Sequence, residues 1–194
     1  MEEQFILIRK HLKKKLTPDR YQHTMGVAHT CECLAMSLGE DISRAYLAGL
    51  LHDCAKCIPD EEKILRCEKH HLPITEIEYQ SPYLLHAKLG AFLAKKKYHI
   101  EDEEILSAIQ CHTTGKPAMT NLEMILFVAD YIEPGRDKAL HLKEIRMEAF
   151  RDLKYCVYMI LKDTLEYLHK KGNPIDEMTE KTFQYYRQYF EPVE

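Results

Sequence analysis

The sequence predicts an all-α fold, a helical bundle of eight or nine helices around one core. Three observations carry that expectation. Apolar residues recur at helical spacing in nearly every segment. Helix starts and stops of recognisable chemistry punctuate the chain, among them Thr17-Pro18, Asp41, Ser81-Pro82 and Thr120-x-x-Glu123 as starts and Gly39 and Gly172 as stops. Only 7 Gly and 8 Pro occur in 194 residues, with no long β-branched run to suggest strands. A chain of this length, 45% hydrophobic and 30% charged, suits a single domain with a sizeable core.

In order, residues 2–16 form an amphipathic helix whose polar face carries Arg9, Lys10 and Lys13 to Lys15. That cluster lies near the helix C-terminus, complements the dipole and reads as a solvated face. Thr17 then caps a helix running to Leu38, with Met25, Ala28, Cys31, Ala35 and Leu38 on one stripe and His23 close to it. Asp41 opens the next, which ends in Ala48-Gly49-Leu50-Leu51-His52-Asp53-Cys54-Ala55-Lys56; its small Ala48 and Gly49 invite close approach by another helix. A short charged helix follows from Cys57 to about His70, then a loop with one turn over 71–80. Ser81-Pro82 starts a strongly amphipathic helix containing His86. Another begins after Asp102 and ends at His112, where Thr113-Thr114-Gly115-Lys116-Pro117 breaks it. Leu122 to Ile132 is nearly all apolar with Asp130 inside, and Glu133-Pro134-Gly135-Arg136 stops it. Two helical pieces follow from 138, broken near 150–152, and a Tyr-rich helix over 179–190 closes the chain.

A net charge of −4 argues against an extended nucleic-acid or anionic-membrane surface, while leaving room for a local cationic pocket. The N-terminus has acids first and only a short apolar run, unlike a signal peptide, and no stretch is long and apolar enough to span a bilayer. Seven cysteines, an odd number set mostly within helical patterns, suit reduced thiols in the cytoplasm. Cys54-x-x-Cys57 lacks the second pair of a zinc ribbon and the βαβ context of a redox site. Tyr185, Tyr186 and Tyr189 read as a partly buried helix face, with base stacking or a dimer contact as the alternative.

Six residues carry chemistry: His23, His52, Asp53, His86, His112 and Asp130. Each is a metal-ligand type placed where a core residue is expected. Singly, a histidine near an apolar stripe is ordinarily a satisfied core or boundary residue, and His29 and the remaining histidines are read that way. Several ionisable groups buried together without a shared cation would each cost a few kcal/mol. Helical bundles build metal sites from such facing side chains. Four imidazoles and two carboxylates without a thiolate suit iron, manganese, zinc or nickel better than magnesium or calcium.

The ordered set His23, His52-Asp53 and Asp130 resembles the HD-domain superfamily of metal-dependent phosphohydrolases, and His86 with His112 resembles its six-ligand, two-metal branch. His52-Asp53-Cys54-Ala55-Lys56, His112-Thr113-Thr114-Gly115 and Asp130 to Arg136 are similar to the bacterial YqeK-type symmetrical diadenosine tetraphosphatases. The resemblance implies one phosphohydrolase domain over 1–194, its metal-binding core at about 17–135 and helices over about 138–190 completing the pocket. It implies two metal ions, expected to be iron with manganese or another divalent metal as alternatives. One would sit at His23, His52, Asp53 and Asp130, the other at His86 and His112, with Asp53 bridging. The implied reaction cleaves diadenosine tetraphosphate (Ap4A) to two ADP through a metal-bridging hydroxide, with His52, Asp53 and Lys56 catalytic. Two-metal sites suit such displacements because they clamp the attacking and leaving oxygens.

Lys56, Arg20 on the face of His23, Arg136 and the Thr113 hydroxyl are candidate phosphate contacts. Asn173, in Gly172-Asn173-Pro174, matches a family segment near the nucleoside, although that tripeptide is equally a turn. A homodimer is a further family expectation. Hydrolysis of another nucleotide, and a nucleotide-binding module without turnover, remain the alternatives.

Overall fold

The computed structural model describes residues 2–191. Among the described residues there are eleven α-helices, one 3-10 turn and no strand. They are α1 (Glu2–Lys15), α2 (Pro18–Leu38), α3 (Ile42–Leu51), α4 (Asp60–Lys69), α5 (Glu76–Gln80), the 3-10 turn Pro82–Leu84, α6 (Leu85–Tyr98), α7 (Glu103–Cys111), α8 (Asn121–Ile132), α9 (Leu142–Glu148), α10 (Leu153–Lys171) and α11 (Glu177–Arg187). The all-α expectation holds, but the count of eight or nine is too low.

One reason lies at 71–80, expected as a loop with one turn. Thr75 and Glu78 form a capping box there and start the five-residue α5. Glu78 is buried and pairs with Lys88 at 2.7 Å, so tertiary contact holds a helix too short to stand alone. Ser81 makes no side-chain cap; Pro82 instead opens the 3-10 turn that leads into α6. The last helix starts at Glu177, earlier than expected, because Asp176 caps it by accepting from the Met178 N–H. The other starts follow the sequence signs. Thr17, Asp41 and Thr120 each accept a backbone N–H of the first turn, and Thr120 with Glu123 completes a capping box. Gly39 and Gly172 end α2 and α10 in the left-handed region, at φ 72° and 65°, where a side chain would be strained.

Helix α2 is the spine, packed against both α3 and α8, with α7 between α3, α6 and α8. Gly49 makes a close crossing of α3 on α2: a Cβ there would lie 2.7 Å from the Ala28 Cα. This is the close approach expected of Ala48 and Gly49. A smaller cluster of Ala55, Cys67, Leu85 and Leu89 packs α4 against α6. Helix α10 lies on α8 and α11 on α10. Tyr186 is buried, and its hydroxyl accepts the Met119 N–H at 3.0 Å, tying α11 to the loop after His112. Tyr189 stays exposed, so the Tyr-rich helix is a partly buried face. All seven cysteines are free. No helix among the described residues is long and apolar enough to cross a membrane.

One ion pair outside the core braces the start of α7 against α3. Asp102 caps α7 and takes a bidentate contact from Arg44 on α3, at 2.7 and 2.9 Å. Arg44 holds the Asp102 carboxyl below the usual range. Its folded pKa is below the unfolded one, so its contribution is present above the unfolded pKa and is lost as pH falls through the folded value. Both side chains are about a third exposed, so screening limits the pair and the cap carries most of the effect. Asp102→Ala is expected to cost about 1 kcal/mol near neutral pH, or roughly 2–4 °C of Tm, with less cost in acid. Thermal melts at two pH values check this.

Candidate metal centre

The four histidines arrive from four places. His23 lies in the second turn of α2, His52 caps the end of α3, His86 lies in the first turn of α6, and His112 caps the end of α7. Their ring orientations are set locally. Nδ1 of His52 lies 2.6 Å from the Gly49 carbonyl, Nδ1 of His112 lies 2.7 Å from that of Ile109, and His86 contacts the Tyr83 carbonyl. A carbonyl only accepts, so each Nδ1 carries a proton and each ring turns its Nε2 inward.

The Nε2 atoms converge on Asp53, which follows His52 and is buried. The Asp53 Oδ2 lies 3.4 Å from His52 Nε2 and 3.9 Å from His23 Nε2. The Oδ1 faces the other way, 3.3 Å from His86 Nε2 and 3.9 Å from His112 Nε2. His86 and His112 meet Nε2 to Nε2 at 3.2 Å. Asp130, from the last turn of α8, places Oδ1 3.0 Å from His23 Nε2. Five elements thus deliver six side chains to one cluster, all six of those expected.

The donor set fits a pair of cations. His52 Nε2 and Asp53 Oδ1 are buried without a hydrogen-bond partner. Leaving such atoms unpaired costs about 1–3 kcal/mol each. Facing lone pairs on His86 and His112 also repel, and a proton does not resolve this. Burial, then His112 and Lys56, hold the His86 pKa well below the ordinary imidazole value, and burial with His52 pushes His112 down to about 4. Burial opposes charge on Asp53, yet His52, His86 and Lys56 prevail and hold its carboxyl well below the usual range. Asp130 is likewise depressed against burial by the rings of His23 and His52 and by Arg136. The low pKa values keep His86 and His112 neutral beside ionised Asp53 and Asp130, which are states a metal binds. At His52 burial opposes charge, but Asp53 outweighs it and raises the pKa, placing there a positive charge that a bound cation would replace. Two groups have ligand atoms mutually close enough to share an ion: His23, His52 and Asp130, and His52, Asp53 and His112.

The expected phosphate contacts ring this cluster, each already engaged. Lys56 Nζ lies 3.1 Å from His86 Nε2 and 4.0 Å from Asp53 Oδ1, and burial lowers its pKa. Arg20 donates to Asp53 Oδ2 at 2.9 Å. Arg136 donates to Asp130 Oδ1 at 2.8 Å and to the Asp130 carbonyl at 3.0 Å. The two arginines therefore sit on the carboxylates rather than in open solvent, with donors to spare for a second anion. Thr113 Oγ1 lies 3.4–3.5 Å from the His112 and His86 Nε2 atoms. Asn173 is not brought here: it is exposed after α10, and its N–H closes that helix on the Leu168 carbonyl.

A cavity of about 770 Å³ opens onto the cluster, walled by Arg20, His23, His112, Asp130 and Arg136 and, from α10, by Asp163 and Tyr167. A second, of about 720 Å³, lies beyond Thr113 between α5, α6 and α11. Thr113 lines both. Sequence reasoning missed one residue of the centre. Glu133 is buried, with Oε1 3.1 Å from His23 Nδ1. Followed by Pro134-Gly135, it reads only as a helix stop; the one available sign was an acid one turn after Asp130.

Comparison with known proteins agrees with this geometry. Residues 20–135 match the HD domain family model. The chain is 39% identical to the symmetrical bis(5'-nucleosyl)-tetraphosphatase of Bacillus subtilis, over 84% of this chain and 87% of that one. It is 40% identical to the protein of the same name from Halalkalibacterium halodurans, over 89% and 91%. The crystal structure of a predicted HD superfamily hydrolase involved in NAD metabolism from Clostridium acetobutylicum superposes with a TM-score of 0.92. That likeness covers 95% of this chain and 97% of that one at 37% identity. Six converging ligands on a matching fold and sequence lead to one conclusion: the chain belongs to the HD-domain family of metal-dependent hydrolases, close to its bacterial symmetrical bis(5'-nucleosyl)-tetraphosphatases.

Proposed function

We propose that the protein cleaves Ap4A in the middle, yielding two ADP, at a centre of two iron ions. The observation that carries this is the division of Asp53: one oxygen faces His23 and His52, the other His86 and His112. A carboxylate divided in this way could serve a cation on each side. His23, His52, Asp53 and Asp130 would hold one ion, and His86 and His112 the other with Asp53 between. Bound there, the metals supply Lewis acidity and a water acidic enough to attack phosphorus at neutral pH.

The remaining work belongs to the chain. Lys56 places a fixed positive charge at the edge of the cluster, where charge grows on the phosphoryl oxygens. Arg20 and Arg136, held on Asp53 and Asp130, would turn their spare donors to the phosphates, and Thr113 would orient them. The two cavities that share Thr113 give a substrate with two nucleosides room on both sides of the cut. This supports a dinucleoside polyphosphate over a mononucleotide. Asn173 lines neither cavity and has no role in this reading. The whole chain acts as one unit, the core over 17–135 holding metal and the later helices closing the pocket. Free thiols agree with a cytoplasmic setting, and a homodimer is carried by family likeness alone.

The test is product analysis. Protein purified without chelator is assayed for bound metal and given Ap4A, with products separated by chromatography. Two ADP and a metal-dependent rate are expected. ATP plus AMP would exclude the symmetrical cut, turnover of other nucleotides alone would move the substrate, and bound metal without turnover would favour a binding module.

A further inference from the structure

We propose that Glu133 is a positioning residue for one of the two metal positions only, the one at His23. This rests on the two-metal reading above. Three of the four histidines lie where a backbone carbonyl three residues earlier can take their Nδ1–H, at a helix end for His52 and His112 and in a first turn for His86. His23 lies inside α2, where carbonyls are committed to the helix ladder. Its ring needs a partner from another element, and Glu133 is that partner, at 3.1 Å.

The carboxylate is itself held in a built cradle. Its Oε2 accepts the Gly135 N–H at 2.6 Å. A Cβ at Gly26, three residues after His23, would collide with Oε2, and one at Gly135 would lie 3.0 Å from both oxygens. Two glycines therefore leave the space the carboxylate fills. Arg146 from α9 clamps the turn from outside, donating to the Ile132, Glu133 and Arg136 carbonyls at 2.7–3.0 Å. The result is a chain of contacts from α9 through the turn to one ring nitrogen. A carboxylate behind an imidazole fixes its tautomer and raises its basicity, which a carbonyl does less strongly. The centre is thereby asymmetric: one position has a carboxylate-backed imidazole and the other only carbonyl-backed ones.

Manganese(II) titration of the chelator-stripped protein, read by calorimetry, tests this in Glu133→Ala, Glu133→Gln and Gly26→Ala. Two ions per wild-type chain are expected. In E133A one ion should bind as in wild type and the other about 10–100-fold more weakly. E133Q, which keeps an acceptor but loses the charge, should fall between, and G26A should weaken the same single ion by displacing the carboxylate. Circular dichroism confirms folding, and E133Q decides the matter if E133A does not fold. Equal weakening of both ions, or two unaltered ions in both E133Q and G26A, overturns the proposal; a general loss of structure would produce the former. Ap4A plays no part in the readout, so two bound ions without turnover would sink the substrate reading and leave this one standing.

Discussion

Replacing Asp53 by Ala or Asn is expected to strip metal from the protein and to lower kcat/KM for Ap4A by at least about 10³-fold, near 4 kcal/mol of transition-state stabilisation. No other side chain touches so much of the centre. Its two oxygens lie within 3.3–3.9 Å of all four Nε2 atoms, and Arg20 and Lys56 lean on the same carboxylate. The Asn variant keeps shape and a single carbonyl acceptor but loses the charge that offsets two cations, so it separates electrostatics from packing. His52→Ala should behave alike, because His52 Nε2 belongs to both groups of ligand atoms. Metal analysis beside steady-state kinetics checks both. A D53N protein that retained two ions and near-normal turnover would remove the bridging role.

Lys56→Ala should give the opposite pattern: metal retained, kcat lower by about 10²-fold, and KM changed far less. Lys56 is near the cluster but is not a ligand, since an ammonium has no lone pair to give. Its Nζ contacts His86 and faces Asp53 from a partly exposed position, where an incoming phosphate would meet it beside the cluster. Lys56→Arg should recover part of the rate. Turnover unchanged in K56A would leave the lysine a bystander.

Helix boundaries were legible wherever a local device marked them. Thr17-Pro18, Asp41, the Thr120–Glu123 box, Gly39 and Gly172 act in the structure as their chemistry predicts. Helix α5 escaped because five residues show no period, although Thr75-Glu76-Ile77-Glu78 carries the capping-box pattern. Ser81 shows the converse: a good cap residue stays unused when the following Pro82 is drawn into a 3-10 turn.

In the site, the six candidate ligands could be picked out because each is an ionisable group in an apolar stretch, a local property. Their convergence could not be read from spacing and came only with the resemblance. Partnerships were harder still. Nothing near Arg20 or Arg136 in the chain says that one lies on Asp53 and the other on Asp130. Glu133 was hidden because its burial depends on Gly26, more than 100 positions earlier, packing against it. Asn173 is a motif match whose backbone N–H, in the fold, closes α10 on the Leu168 carbonyl.

Anomalous diffraction from crystals of protein purified without chelator bears most directly on the centre. Two peaks about 3.5–4 Å apart are expected, one against His23, His52 and Asp130, the other against His86 and His112, with Asp53 reaching both. Data of good quality with no peak among these six side chains, or with a single ion placed elsewhere, would contradict the dinuclear centre and the hydrolase chemistry built on it.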